Sequence, residues 1–388
     1  MPPVVPPETD RAAIARHIIE FGVTEADFRL ARTQPPRGPL LAAGLPLRWP
    51  DGLAPTPREL PAAPDVDDPV PSADVVVITW TVAEHEALCD VLTPGATRNE
   101  WYRYRRNFES VFRDQIRGGA PALAADRLGS YYMTRVGSKD VLCFKSELHL
   151  NQDGTRTGDG TATLPVAQLF RQLIAEADPG LVITTGTAGA TYRSHELGDV
   201  IVTRAAKFRL TKEFRNEPFN GRTYRCDFDV PTGQLTEARQ LLAAHAKELA
   251  EPLFGPPTAR FHWDGPLITP PKNSPDVKLD GEQFREFHPM LTTDYFEFGT
   301  STNNLDQAGC GVEMGDAVLG LVAEELGANA PRWLVVRNAS DPQINGLLPH
   351  GPDQVDMQAH WAVWYYETYG YWTSVNSAIA TWAVIAGD

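Results

Sequence analysis

Three short segments of this 388-residue chain bring carboxylates, hydroxyls and glycines together at spacings that could support acid–base chemistry. The first is Ile78-Thr-Trp-Thr-Val-Ala-Glu84-His85-Glu86, an apolar run that ends in carboxylates. The second is Thr185-Gly-Thr187-Ala188-Gly189, followed by Gly198-Asp-Val-Ile-Val202. The third is Val335-Val-Arg337-Asn-Ala-Ser340-Asp341-Pro342. Two carboxylates in one pocket can divide the roles of acid and base when their surroundings separate their pKa values. Each segment also has a plainer reading. Ser-Asp-Pro is a helix N-cap signature, because proline lacks an N–H that a first helical turn leaves unpaired anyway. A glycine turn serves any tight strand-to-helix connection. Glu84 also suits the solvated face of a first helical turn, and His85 a surface position. The Gly-x-Gly-x-x-Gly and Gly-x-x-x-x-Gly-Lys-Ser/Thr spacings of dinucleotide and phosphate loops are absent.

The elements that must position these segments alternate between short apolar runs and helical patterns. Val75–Thr79, Val141–Phe144, Leu181–Thr185, Asp199–Thr203 and Trp333–Val336 read as buried strands. Helices are expected from Ala87 to Leu92, from Pro165 to Asp178, over Ala317–Leu326 and over Tyr371–Ala386. This alternation predicts an α/β fold with a mixed, mostly parallel sheet flanked by helices on both faces. Ligands of such sheets sit at the carboxyl ends of the strands, where all three segments fall. Prolines crowd the first 71 residues. Residues 1–70 therefore read as a short helix (Arg11–Phe28) and a proline-rich strap, and residues 71–388 as one catalytic domain. Inserts are expected near 95–135 and 147–162. The first contains Trp101-Tyr-Arg103-Tyr-Arg105-Arg106, read as a solvated surface helix or as a wall that contacts an anionic substrate.

Composition narrows the function classes. The chain is 42% hydrophobic and 9% aromatic, enough for a large core, with a net charge of −15. That acidity argues against nucleic acid and anionic membrane as partners. No apolar run approaches the roughly 20 residues that span a bilayer. The four cysteines lie far apart, which suits reduced, buried thiols in a cytoplasmic protein. The nine histidines are dispersed, so no metal and no other cofactor is expected.

Taken in order, the segments resemble the nucleoside phosphorylase and nucleosidase superfamily, and within it the 5′-methylthioadenosine/S-adenosylhomocysteine nucleosidases. The motifs that carry the resemblance are the strand ending at Glu84, Thr185-Gly-Thr-Ala-Gly-Ala190 with Gly198-Asp-Val-Ile-Val202, Val312-Glu313-Met314-Gly315, and Val335-Val-Arg-Asn-Ala-Ser-Asp341. They run in the family's order from Asp74 onward. Residues 1–70 and 95–135 lie outside the resemblance.

The resemblance implies hydrolysis of the N-ribosidic bond of an adenine-type purine nucleoside or nucleotide. It implies that Asp341, oriented by Ser340, gives a proton to the leaving base. Glu84 would activate water with help from Arg337; Glu86 and His85 are neighbouring candidates. Thr187, Ala188 and Gly189 would line the ribose and base, and Phe296 would lie against the purine or belong to the core. Met314 would pack under the ribose. Gly315 stands where the family has a glutamate for the ribose hydroxyls, which leaves Asp316 or Glu313 to take that role. The alternatives are a purine nucleoside phosphorylase, or a catalytically idle nucleoside-binding module of the same fold. A carboxylate where the phosphorylases bind phosphate favours water over phosphate. The superfamily also implies a homo-oligomer. Arg103, Arg105, Arg106 and Arg156 are the candidates for meeting a 5′-phosphate.

Overall fold

The β-branched run Val75–Thr79 forms a strand whose five residues are all buried, and one mixed sheet is built around it. The computed structural model describes residues 45, 47–245, 275–279, 288–348, 350 and 357–388. The expected helix Arg11–Phe28 lies outside the described residues.

The first strands are β1 (Thr56–Arg58), β2 (Val75–Thr79), β3 (Tyr102–Tyr104), β4 (Gly129–Val136) and β5 (Lys139–Ser146). The central ones are β6 (Leu181–Ala190), β7 (Val200–Thr203), β8 (Ala205–Arg209) and β9 (Thr223–Arg225). The last are β10 (Val277–Leu279), β11 (Met290–Thr293), β12 (Gly311–Glu313) and β13 (Arg332–Asp341). Their main order is β1-β4-β5-β2-β6-β12-β11-β8-β9, with β13 on β6 and β7, β10 on β7, and β3 on β4. The spine is parallel: β5, β2, β6 and β13 run together. Helices cover both faces, with Pro165–Ala177 and Asp316–Leu326 on one side. Val82–Leu92, Thr232–His245 and Met357–Gly387 lie on the other.

One detail of register opens the site. β13 follows β6 in parallel from Leu181 to Gly189 along one edge. On the opposite edge β2 pairs only with residues 181–184, and β12 joins only at Gly189 and Ala190. Between those two partners a gap is left in the sheet beside residues 185–188. The chain after β2 and the chain after β12 both lead into it.

Several expectations are corrected. Thr185–Gly189 is not a turn but the second half of β6, and Arg337–Asp341 is the second half of β13. No helix starts at Pro342, so Asp341 caps nothing. Parallel pairing in the sheet interior satisfies backbone groups there that a helix cap would otherwise have served. Residues 102–104 form an edge strand rather than a surface helix, with Trp101 and Tyr104 buried. The final helix begins at Met357, not Tyr371. His85 is buried, its ring edge-on to Trp101 at 4.3 Å. Cys226 is half-buried, and the other three cysteines are buried thiols. The strap packs on the core: β1 pairs with β4, Trp49 meets Trp382 at 4.7 Å, and the Trp382 indole N–H donates to the Leu53 carbonyl at 2.7 Å.

Candidate active site

The gap beside residues 185–188 is the mouth of a cleft with about 630 Å³ of atom-free space, part of it open to solvent. That size suits a small organic molecule. The cleft brings together Glu84, Thr187, Ala188, Gly189, Phe296, Glu313, Met314, Arg337, Ser340 and Asp341. Asp316 does not line it; it is buried behind the wall, bound to Arg337.

Glu84 enters from the first turn of the helix Val82–Leu92, which opens with a capping box between Thr81 and Glu84. Its Oε2 accepts from the Thr79 hydroxyl at 3.0 Å and from the amides of Trp80 and Thr81 at 2.9 and 2.8 Å. Its Oε1 accepts from the amide and the hydroxyl of Thr187, both at 2.8 Å. Burial by itself raises the pKa of such a group. The charge of Arg337 and the amides of Thr81, Thr187 and Trp80 outweigh it and hold Glu84 below the usual carboxylate range. Glycine at 186 is a steric requirement, because a Cβ there would lie 2.4 Å from Glu84 Oε1.

Asp341 is set the opposite way. A register shift in β13 between Ala339 and Asp341 carries its carboxyl over Gly189, where a Cβ would lie 2.9 Å from Oδ2. The Ser340 hydroxyl donates to Oδ1 at 2.9 Å, and among the described residues Oδ2 has no hydrogen-bond partner. Burial pushes its pKa up to about 7, with only the Ser340 hydrogen bond opposing. Below about pH 7 burial therefore favours the carboxylic acid form of this cleft-lining residue.

Arg337 is held by two acids. Its Nε and Nη2 grip Asp316 at 3.0 and 2.5 Å, and Nη2 reaches Glu313 at 3.3 Å. Burial opposes its charge, but Asp316 and Glu313 raise its pKa further, so it stays protonated. Glu313 accepts from the Thr292 hydroxyl at 2.5 Å and from the Asp316 amide at 2.9 Å. Burial first and then the charge of Asp316 shift Glu313 upward. The guanidinium lies 4.7 Å from the Trp80 ring centre. The same ring lies beside Gly315: a Cβ there would meet the indole at 3.1 Å, so the ring would have to give by a few tenths of an ångström.

Phe296 is half-buried, touching both the cleft and Phe298 at 5.7 Å. Its segment is clamped by Asp294, which accepts from the amides of Thr211, Lys212 and Phe214 at 2.8 to 3.0 Å. Glu86 is on the far side of its helix, 3.7 Å from Arg98. Arg103, Arg105, Arg106 and Arg156 do not line the cleft. Arg105 pairs with Glu109 and Asp126, Arg106 with Glu176, and Arg156 with Glu213.

Sequence reasoning missed Trp80, Thr81, His149, Thr293, Glu297 and Tyr366, which also line the cleft. For Trp80 and Thr81 a signal existed, since they lie between a strand end and Glu84. A single histidine or tyrosine carries no spacing signal, and chain closure alone brings those two in.

No family model and no curated protein matches the chain. Solved structures do. Futalosine hydrolase of Helicobacter pylori is similar at 10% identity and a TM-score of 0.44, over 80% of this chain and 96% of that one. The 5′-methylthioadenosine/S-adenosylhomocysteine nucleosidase of Neisseria meningitidis, in complex with methylthio-immucillin-A, is 14% identical over 81% and 99%, with a TM-score of 0.42. The S-adenosylhomocysteine nucleosidase of Streptococcus pyogenes, in complex with 5-methylthiotubericidin, is 16% identical over 81% and 97%, with a TM-score of 0.41.

Proposed function

We propose that the chain is a hydrolase of the N-ribosidic bond of a purine nucleoside. The observation that carries this reading is the pair of buried carboxyls in one cleft, Asp341 kept protonated and Glu84 kept ionised. Both carboxyls line the same cleft, with Thr187, Ala188 and Gly189 between them along β6. A protonated carboxyl offers a donor and an acceptor side by side, the complement of purine N7 and a 6-amino group. In the reaction water adds at the anomeric carbon as the bond to N9 breaks. The Asp341 proton goes to N7 of the leaving base, and the proton lost by water ends on Glu84.

Glu84's low pKa makes it a weak base, so its main contribution is negative charge beside the developing oxocarbenium ion. Arg337 keeps that carboxylate ionised, and Asp316 and Glu313 hold Arg337 in place. Phe296 and Met314 supply apolar contact to the base and sugar. Phosphate in place of water is disfavoured, since it would meet ionised Glu84 while the lining arginine is already bound to two acids.

The test is release of free base from purine nucleosides, with and without phosphate, across pH. The expected kcat/KM falls as pH rises through about 7, where Asp341 loses its proton. It persists on the acid side to below the usual carboxylate range. Asp341→Asn is expected to lose on the order of 10²- to 10⁴-fold and, with it, the limb near pH 7. Full activity of Asp341→Asn, or turnover that requires phosphate, would overturn the reading.

A further inference from the structure

The edge strand β3 carries charge on one side only. Tyr104 is buried and Tyr102 half-buried, whereas Arg103 between them is exposed. Residues two apart along an extended chain share a face, so Arg105 continues the side that Arg103 begins. Arg127 reaches the same side from the segment leading into β4, whose Gly129 pairs with Tyr104. Arg103, Arg105 and Arg127, with Val66 and Asp126, line a second hollow with about 490 Å³ of atom-free space, part of it open to solvent. None of these five residues lines the cleft.

Three guanidinium groups facing one carboxylate stand out in a chain of net charge −15. Among the described residues Arg103 has no carboxylate partner. Its Nη2 donates to the Ala125 carbonyl at 3.1 Å, which leaves most of its five N–H donors to a ligand. Arg127 is anchored from behind, its Nε donating at 2.8 Å to Oε1 of fully buried Glu147. The Lys145 ammonium binds the other oxygen of that carboxylate, so one buried acid serves two cations. Arg105 is braced by Glu109 and, at 3.2 Å, by Asp126. Both of those acids are about half exposed, so water screens the pairs. The Arg105 amide donates to the Val66 carbonyl at 2.7 Å, which ties the strap to this rim of the hollow.

We propose that Arg103, Arg105 and Arg127 form a binding site for a phosphate-bearing small molecule, separate from the cleft. A planar guanidinium presents paired N–H donors that match two phosphate oxygens at once, and charge strengthens each of those bonds. A phosphate group in the hollow takes over the contact of exposed Asp126 to Arg105 and adds the two other arginines to it. Arg127 and Arg103 are already held, by Glu147 and by the Ala125 carbonyl, so they give up little further freedom on binding. A nucleic-acid chain is disfavoured here, because its many phosphates would also face the acidic surface around the hollow. The site uses no residue of the proposed active site, so the inference stands apart from the N-ribosidase reading.

The experiment is calorimetric titration of the full chain at low ionic strength with inorganic phosphate, pyrophosphate and AMP. At least one of the three is expected to bind saturably, one per chain, with a Kd below about 1 mM. Arg103→Glu, at an exposed position, is expected to weaken that binding by about tenfold or more with thermal stability unchanged. Arg215→Glu makes the same charge change at an exposed arginine outside the hollow and should leave the affinity within about twofold. If AMP binds more tightly than pyrophosphate and loses its affinity in Arg103→Glu, the occupant is a nucleotide. If pyrophosphate or phosphate binds more tightly and is lost in the same way, it is a free phosphate; both results support the site. The absence of saturable binding by any of the three probes would overturn it. So would unchanged affinity in Arg103→Glu, which places the anion elsewhere, or an equal loss in Arg215→Glu, which reduces the effect to general attraction.

Discussion

Burial raises the Asp341 pKa, opposed among the described residues only by the Ser340 hydrogen bond, and this has a consequence for stability as well as for chemistry. A free aspartate titrates near 3.9, whereas in the folded chain Asp341 is raised to about 7. Between those values the folded chain binds a proton that the unfolded chain has released. Stability contributed by this group is therefore full below about pH 4 and is lost as pH rises toward 7. Asp341→Asn removes the titration without changing the shape. The variant is expected to gain on the wild type by a few degrees in Tm between pH 5 and pH 8, read by thermal melts at both. An equal Tm difference at the two values would mean that Asp341 is not a buried acid.

Two strands, β6 and β13, carry the site through their polar second halves. Gly186 lies under Glu84 and Gly189 under Asp341, and an added Cβ would come within 2.4 and 2.9 Å of their carboxyl oxygens, so that the carboxyl would have to move. Gly186→Ala must displace the carboxylate from at least some of the five donors that hold it. Overpacking of this kind costs about 1–3 kcal/mol. The expected result is at least a hundredfold loss of base release with the sheet intact by circular dichroism. An undiminished rate would show that Glu84 need not sit where these donors hold it. The register shift before Asp341 matters for the same reason. A bulge re-aims one side chain without ending the strand, and here that side chain is Asp341.

Across the whole molecule the charge of −15 and the paired surface arginines bear on which substrates can enter. An acidic protein repels anions over distances that salt screens. For an uncharged nucleoside, kcat/KM should change by less than about twofold between low and high ionic strength. A steep rise with added salt would instead indicate an anionic substrate. The last helix, Met357–Gly387, ties the fold together from one face. Its Thr381 hydroxyl meets that of Thr185 at 3.0 Å, and Asn338 Nδ2 donates to Ser377 Oγ at 3.0 Å and to the Gly186 carbonyl at 2.8 Å. Among the described residues, no helix is long and apolar enough to cross a membrane.

The apolar starts of β2, β6 and β13 and the helices Pro165–Ala177 and Asp316–Leu326 were legible in the sequence, because burial on one or both faces writes a regular hydrophobic pattern. The order of the polar segments was legible as well, since their residue types recur as motifs. The polar ends of β6 and β13 were not. Thr185–Gly189 and Arg337–Asp341 have the composition of turns and caps, and they are strands because each lies in parallel register against the other, with β7 and β12 pairing to part of them as well. Nor could spacing show that Trp80 fills the room beside Gly315, or that His149 comes to stand near Glu84 from a distant loop. Those placements depend on contacts between segments far apart in the chain. The sequence by itself determined which polar segments meet at the strand ends, among them Glu84, Arg337 and Asp341. The tertiary structure decided their protonation, because burial and neighbouring charge exist only once the cleft has closed around them.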